Sequence, residues 1–332
     1  MKKVVLGLSG GVDSAVSARL LQNAGYEVHG LFLDIGNPVW RADAEAAAAS
    51  LGVELTVADV AAELEREVCA PFAASYLRGE TPNPCIICNP AVKFRHLCDR
   101  ADDLGAEAIA TGHYARVKDG KLLRATSSKD QSYMLCRLRP EQVRRLILPL
   151  GEFEKTHTRE LAAEFGLPVA DKPDSMEICF IPDKDYAAWL SRRGALPEPG
   201  EFVWNGTPVG RHEGIHRWTV GQRIPGVYDG AALYVVALRP ETREVLVDRN
   251  EALMRREFTA RDFNWLIDAP DAPVPGAVKV RHSRGDGAPC TAEVLGGGRV
   301  RFTVPDAVRA PAPGQSAVLY SGDQVLGGGF IE

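Results

Sequence analysis

Much that would classify this sequence at a glance is absent from it. No apolar run approaches the ~20 residues of a membrane-spanning helix, so no membrane association is expected. The apolar run behind Lys2 and Lys3 is short and passes straight into a Gly-rich turn, unlike a signal peptide. No internal repeat or low-complexity tract is present. Seven cysteines, an odd number without a secretion signal, do not suggest a disulfide framework. Reduced thiols in the cytoplasm are expected instead. The net charge of -5 argues against a uniformly basic nucleic-acid coat.

What is present describes an ordinary globular protein. The 332 residues, 45% hydrophobic and 25% charged, suggest two or three domains. Charge is unevenly spread. Residues 113–159 hold 11 Lys/Arg against 5 Asp/Glu, a net of +6, whereas residues 39–91 hold 3 against 8, a net of -5. A locally basic face can bind a phosphate backbone even in an acidic chain, although a solvated helix face gives the same count.

The stretch Val4-Val5-Leu6-Gly7-Leu8-Ser9-Gly10-Gly11-Val12-Asp13-Ser14 organises the chain. Residues 3–8 read as a buried parallel strand, and residues 13–24 as the helix packed on it. Gly10 and Gly11 permit close backbone approach. Ser9 and Ser14 add hydroxyls, and a helix N-terminus adds partial positive charge. The result suits a phosphate or pyrophosphate. It has neither the lysine and spacing of a Walker A loop nor G-x-G-x-x-G. The order S-G-G-x-D-S resembles the PP-loop of ATP pyrophosphatases, which adenylate a substrate and release pyrophosphate.

Strands at Glu27–Asp34, Val53–Val57 and Ala106–Ala110 alternate with helices at Asp43–Leu51, Val60–Arg78 and Phe94–Leu104. That alternation predicts a doubly wound parallel α/β sheet with its sites at the carboxyl ends of strands. Residues 79–93 read as a Pro-punctuated loop, 131–138 and 141–148 as mostly helical, and Thr158–Phe165 as a helix. Beyond about residue 195, short β-rich segments separated by Gly and Pro turns predict a small central β-rich domain and a C-terminal antiparallel β-barrel. Arg217–Gly221 is one of those segments. The boundaries fall at 1–193, 194–254 and 255–332.

Two thiol loops stand out. In Thr81-Pro82-Asn83-Pro84-Cys85-Ile86-Ile87-Cys88-Asn89, the cysteines allow a zinc half-site completed by His96 and Cys98, a redox pair, or a nucleophile with a distant partner. The segment Asp171-Lys172-Pro173-Asp174-Ser175-Met176-Glu177-Ile178-Cys179 supplies such a partner, with Lys172 near enough in sequence to lower its pKa. The flanking Ile178 and Phe180 also leave a core cysteine open as the lesser reading. His113, in Thr111-Gly112-His113-Tyr114, is a hydrogen-bond candidate for phosphate or ribose at a strand end.

Taken together, these motifs resemble the bacterial tRNA-specific 2-thiouridylase family nearly end to end. The resemblance rests on G-L-S-G-G-V-D-S at 7–14, T-P-N-P-x-x-x-C-N at 81–89, K-F at 93–94, A-T-G-H-Y-A at 110–115 and K-D-Q-S-Y at 129–133. It continues through P-L-G at 149–151, D-S-x-x-I-C-F-I at 174–181, T-V-G-Q-R at 219–223, G-Q-S-A-V and the closing L-G-G-G. The resemblance implies that Gly7, Leu8, Ser9, Gly10, Gly11, Val12, Asp13, Ser14, Leu33 and Gly112 hold ATP, with Mg²⁺ accompanying it. It implies a persulfide on Cys179, loaded by a cysteine desulfurase or sulfur-relay protein, and Cys88 as nucleophile or resolving thiol. Asn83, Pro84 and Cys85 would flank the target base. His113, Lys129, Asp130, Gln131, Arg281, His282 and Gln315 would contact a tRNA with a wobble uridine. No resident metal site is expected.

Departures accompany the match. Cys85 stands where the family commonly has Asp, D-S-M-E-I-C replaces D-S-x-G-I-C, and Arg281-His282 replaces Arg-Tyr. The segment after Asp34 is short and lacks the usual cysteine. Two other classes remain open: a PP-loop ligase or amidotransferase-type enzyme acting on another substrate, and a zinc-stabilised RNA-binding module.

Overall fold

A computed structural model describes residues 2–170, 172, 178–181, 183–194, 196–225 and 232–332. Most of the second thiol loop, at 171, 173–177 and 182, lies outside the described residues. The chain forms two compact units: Met1–Val68 with Cys85–Met176 and Asp323–Leu326, and Cys69–Pro84 with Glu177–Gly322 and Gly327–Glu332.

The first unit contains a five-stranded parallel sheet. Its strands are β1 (Lys2–Gly7), β2 (Tyr26–Asp34), β3 (Glu54–Asp59) and β4 (Ala108–Ala110), and β7 (Leu146–Ile147), which follows the hairpin of β5 (Ala115–Lys118) and β6 (Lys121–Arg124). The order is β3-β2-β1-β4-β7, with every pair parallel. Val4, Val5 and Leu6 are fully buried, as expected of a strand covered on both faces. Helices α1 (Val12–Asn23) and α2 (Pro38–Leu51) follow the first two strands. Val12, Val16 and Ala48 join Val4, Leu6 and Leu150 in one core. Strand order reverses between β1 and β4, so the crevice of a doubly wound sheet opens between their carboxyl ends.

Several local expectations are corrected. Helix α2 starts at Pro38, not Asp43, because the Asn37 side chain accepts the Val39 and Trp40 N–H groups with proline at the first helical position. The expected 79–93 loop is helical from Pro84: a short helix Pro84–Cys88 runs through a π-helical turn, Asn89–Lys93, into Phe94–Asp103. Buried Ile86, Val92, Phe94 and Leu97 give this run an apolar face. The helix expected over 60–78 carries a π-helical turn at Glu65–Cys69. Residues 131–148 yield a 3₁₀ turn at Ser132–Leu135, a helix at Pro140–Arg144 and then β7. Asp323 adds to this unit by taking the Arg124 N–H on its carbonyl and a 2.7 Å ion pair from Arg116, while Gln324 pairs with Leu123.

The second unit holds two β structures. The strands β8 (Gly200–Trp204), β9 (Thr207–His212), β10 (Tyr234–Arg239) and β11 (Glu244–Asp248) form a sheet in the order β10-β11-β8-β9 around Phe202, Ile215, Leu233, Val235 and Val245. The six strands β12 (Met254–Trp265), β13 (Val274–Lys279), β14 (Ala288–Gly296), β15 (Arg299–Arg309), β16 (Ser316–Ser321) and β17 (Gln324–Ile331) make an antiparallel barrel, ordered β12-β15-β14-β13-β16-β17 and closed by pairing of β12 with β17. The strand expected at Arg217–Gly221 is absent: a 3₁₀ turn occupies Ile215–Arg217 and no strand follows it before Gly221. Among the described residues, no helix is long and apolar enough to cross a membrane.

Candidate active site

Three segments of the first unit meet at the carboxyl ends of β1 and β4. Gly10 has φ +71°, and a Cβ there would lie 2.5 Å from the Asp43 carbonyl carbon and 2.6 Å from the Ala44 nitrogen. A Cβ on Gly112 would lie 2.9 Å from the Asp13 carbonyl carbon and 3.0 Å from the Ser14 nitrogen. Bare glycines therefore let α2 close on the loop and let the end of β4 touch the first turn of α1. Gly11 caps α1 in an extended conformation with no side-chain cap. The first-turn N–H groups thus have no capping side chain and are disposed toward an anion. The two serines first shape the loop. Ser14 Oγ accepts the Ser9 N–H at 3.2 Å and donates to the Gly11 carbonyl at 3.0 Å, with Ser9 Oγ 3.2 Å away. Leu33 is half-buried near the end of β2, where Asp34 accepts the Gly36 N–H at 2.8 Å.

The Thr111-Gly112-His113-Tyr114 segment is tightly held. His113 Nδ1 lies 2.7 Å from Thr111 Oγ1, and its ring stacks on Phe94 at 6.0 Å. Burial, then the nearby Lys93 charge, holds this imidazole well below its ordinary pKa, so it is neutral near pH 7 and suited to hydrogen bonding. Tyr114 and Gln131 exchange two bonds: Tyr114 N to Gln131 Oε1 at 2.9 Å and Gln131 N to Tyr114 O at 2.7 Å. Asp130 accepts the N–H groups of Ala125 and Ser132 and the Ser132 hydroxyl. Lys129 Nζ sits 5.7 Å from the centre of the Tyr114 ring. Residues 129–131 are thereby fixed against the strand end.

The thiols fall into two groups. Cys85 is exposed and Cys88 half-buried on the short helix, three residues apart with buried Ile86 between. In the second unit Cys179 is exposed on a turn closed by the Ile181 N–H to the Ile178 carbonyl at 2.9 Å. Phe180 packs edge-on against Phe72 and tilted on Trp189. Its neighbours are anchored, and Cys179 is not a core cysteine. By contrast Cys69, Cys136 and Cys290 are buried, and burial pushes the Cys136 and Cys290 thiols up to about 12. Lys172, expected to lower the Cys179 pKa, instead pairs with Asp43 and donates to the Gly10 carbonyl at 3.1 Å. The zinc grouping does not assemble. His96 Nε2 bonds Glu63 at 2.7 Å, burial raises the Cys98 pKa, and no group of three or more His, Cys, Asp or Glu among the described residues could hold a metal.

In the second unit, Gln315 Nε2 donates to the Thr81 carbonyl at 3.0 Å, and the Thr81 N–H bonds Pro313 at 2.8 Å. The expected tRNA contact at Gln315 therefore also anchors the segment that leads into Asn83 and Pro84. Arg281 and His282 are exposed, with Arg281 bonded to the Arg309 carbonyl at 2.6 Å.

Comparison with known proteins gives this arrangement a family. A tRNA methyl transferase HUP domain matches residues 2–183, a PRC-barrel domain of the same series 193–249, and an aminomethyltransferase β-barrel domain 255–331. A tRNA-specific 2-thiouridylase MnmA of Geobacter metallireducens is 42% identical over 359 residues, spanning 100% of this chain and 97% of that protein. Its namesake in Syntrophotalea carbinolica is 41% identical, over 99% of this chain and 98% of that one. The chain belongs to the tRNA-specific 2-thiouridylase family. It is an enzyme of the tRNA sulfurtransferase class. A solved 4-thiouridine synthetase–RNA complex with bound ATP aligns over 58% of this chain and 50% of its own at 21% identity and a TM-score of 0.37.

Within this 2-thiouridylase family member, two site residues escaped the sequence reading. The buried Tyr114 hydroxyl donates to Asp13 Oδ1 at 2.8 Å and lies 2.9 Å from Thr158 Oγ1. Lys155 Nζ reaches the same Asp13 oxygen at 2.6 Å. Lys155 opens the helix Lys155–Glu164, three residues before the start expected from the sequence, and a cation there opposes the helix dipole.

Proposed function

We propose that the protein transfers sulfur to C2 of the wobble uridine of tRNA, using ATP to activate the base and a persulfide on Cys179 to supply sulfur. The reading is supported above all by the PP-loop geometry: an uncapped α1 N-terminus and two obligatory glycines at the reversal point of a parallel sheet. Segments 1–193, 194–254 and 255–332 act as catalytic, connecting and barrel parts of this enzyme.

ATP lies along Gly7–Ser14, with Leu33 and Gly112 beside the nucleoside. The uracil is turned out of its stack, because C2 cannot be attacked within it. Its C2 oxygen bonds to the α-phosphorus, the bond to pyrophosphate breaks and the N3 proton is lost. The terminal persulfide sulfur adds to C2, and AMP leaves with the former oxygen. The Cys88 thiolate then attacks the Cys179 sulfur, leaving 2-thiouridine and a Cys88–Cys179 disulfide for an external thiol to reduce. Mg²⁺ bound with the triphosphate needs only one or two protein carboxylates. Asp13, in the first turn of α1, offers one, and the ion would offset charge on the departing pyrophosphate. His113, Lys129–Gln131, Arg281, His282 and Gln315 contact the tRNA, while Asn83, Pro84 and Cys85 border the base. A cysteine desulfurase or sulfur-relay protein loads Cys179.

The test is thiolation of unmodified tRNA with ATP and a sulfur donor. Cys179→Ser and Cys88→Ser each abolish 2-thiouridine while tRNA-stimulated pyrophosphate release persists. Full thiolation by Cys179→Ser would sink the persulfide assignment. Pyrophosphate release indifferent to tRNA would favour a ligase acting on another substrate.

A further inference from the structure

The loop at 9–14 provides backbone amides, hydroxyls and one carboxylate, but no cation. A nucleoside triphosphate with one Mg²⁺ still carries about two negative charges, and pyrophosphate departure gathers charge on the leaving oxygens. A helix N-terminus offsets only about half a charge. The loop as read from sequence is thus short of positive charge for the step assigned to it.

Two observations show where that charge resides. First, Lys155 Nζ stands 2.6 Å from Asp13 Oδ1, with only 17% of its side chain exposed. The ammonium is therefore part of the PP-loop, although 142 residues separate the partners. Second, Lys155 is the first residue of its helix. A cation there is repelled by the dipole of its own helix and contributes nothing to helix stability. Glu154, immediately before it, turns its carboxylate to Ser128, bonding both the N–H and the hydroxyl at 3.0 Å. A residue placed against its local preference and held beside an anion site is a mark of function.

We propose that Lys155 is the cationic phosphate ligand of this loop, stored on Asp13 and transferred to the triphosphate when ATP enters. The carboxylate so released would be free to hold the nucleotide's Mg²⁺, and Lys155 neutralises charge that develops as the bond to pyrophosphate breaks. Tyr114 is a positioning residue: its hydroxyl holds the same Asp13 oxygen, so the carboxylate keeps its orientation while the lysine moves. The proposal rests on the adenylation reading above.

The test uses the full-length enzyme with tRNA and ATP, following pyrophosphate release, and separately titrates inorganic pyrophosphate by calorimetry without turnover. Wild-type enzyme must release pyrophosphate in a tRNA-dependent manner, and its failure to do so defeats the adenylation reading itself. Given that activity, Lys155→Met lowers kcat about 100-fold, raises the KM for ATP by less, and weakens pyrophosphate binding about tenfold. Lys155→Arg recovers at least a tenth of wild-type kcat, a rescue that loss of packing alone would not show. Circular dichroism and the melting temperature confirm that Lys155→Met is folded. A folded Lys155→Met enzyme with kcat within threefold of wild type, or with unchanged pyrophosphate affinity, overturns the proposal.

Discussion

The PP-loop of the first unit and the seam of the barrel in the second both depend on glycine, for different ends. At the seam, a Cβ on Gly327 would strike the Asn264 carbonyl, and one on Gly329 would lie 2.6 Å from that of Arg261. There glycine lets β17 approach β12 closely enough to close the barrel, and the backbone groups are spent on strand pairing. At the PP-loop, Gly10 and Gly112 allow equally close approach, but the space gained surrounds a helix N-terminus that no side chain caps. Close approach by glycine therefore does not by itself mark a binding site. Backbone amides left over after folding do.

The comparison is broken most severely by adding one methyl on each side. Gly112→Ala pushes against Asp13 and Ser14, and tRNA-stimulated pyrophosphate release falls about 100-fold, the usual result of an ångström-scale shift in a reacting group, with little change in melting temperature. Gly327→Ala has the opposite profile: calorimetric melting shows a loss of about 1–3 kcal/mol from overpacking. A Gly327→Ala enzyme of unaltered stability would show that the seam is slack. The smallest effect is expected from acid. Because the folded pKa of His113 lies below the ordinary value of 6.5, the unfolded chain binds the extra proton first, and stability falls as pH drops below about 6.5. His113→Gln flattens that acid limb of the melting curve, and an unchanged limb would assign it to another group.

Much of the first unit was legible in the sequence. A fully apolar β-branched run, then Gly-Gly and an apolar helix pattern, dictate the β1–α1 unit, and Gly52 ends α2 in the left-handed conformation open to glycine. Where reading failed, short-range signals were outweighed or overlooked. Asn37-Pro38 is a cap that moves α2 five residues earlier than its alanine-rich body indicates. The prolines at 82 and 84 look like loop punctuation, yet Pro84 begins a helix whose buried face is made by Ile86 and Val92. Strands β8 and β9 are short and β12 carries five charged residues among its twelve, so their partners reveal them. The site was half legible. Motif residues announce themselves, whereas Lys155 joins Asp13 across 142 residues by way of the fold, and no local pattern records that distance.

The first unit also recruits Asp323–Leu326, and the second takes Cys69–Pro84 from among the early residues. The chain therefore weaves between its units instead of completing one before starting the next. On the ribosome, the β5–β6 hairpin waits for Asp323 and Gln324, which are translated only after strands β12 to β16. The nucleotide-binding half, although begun first, is completed only after five of the six barrel strands have been synthesised.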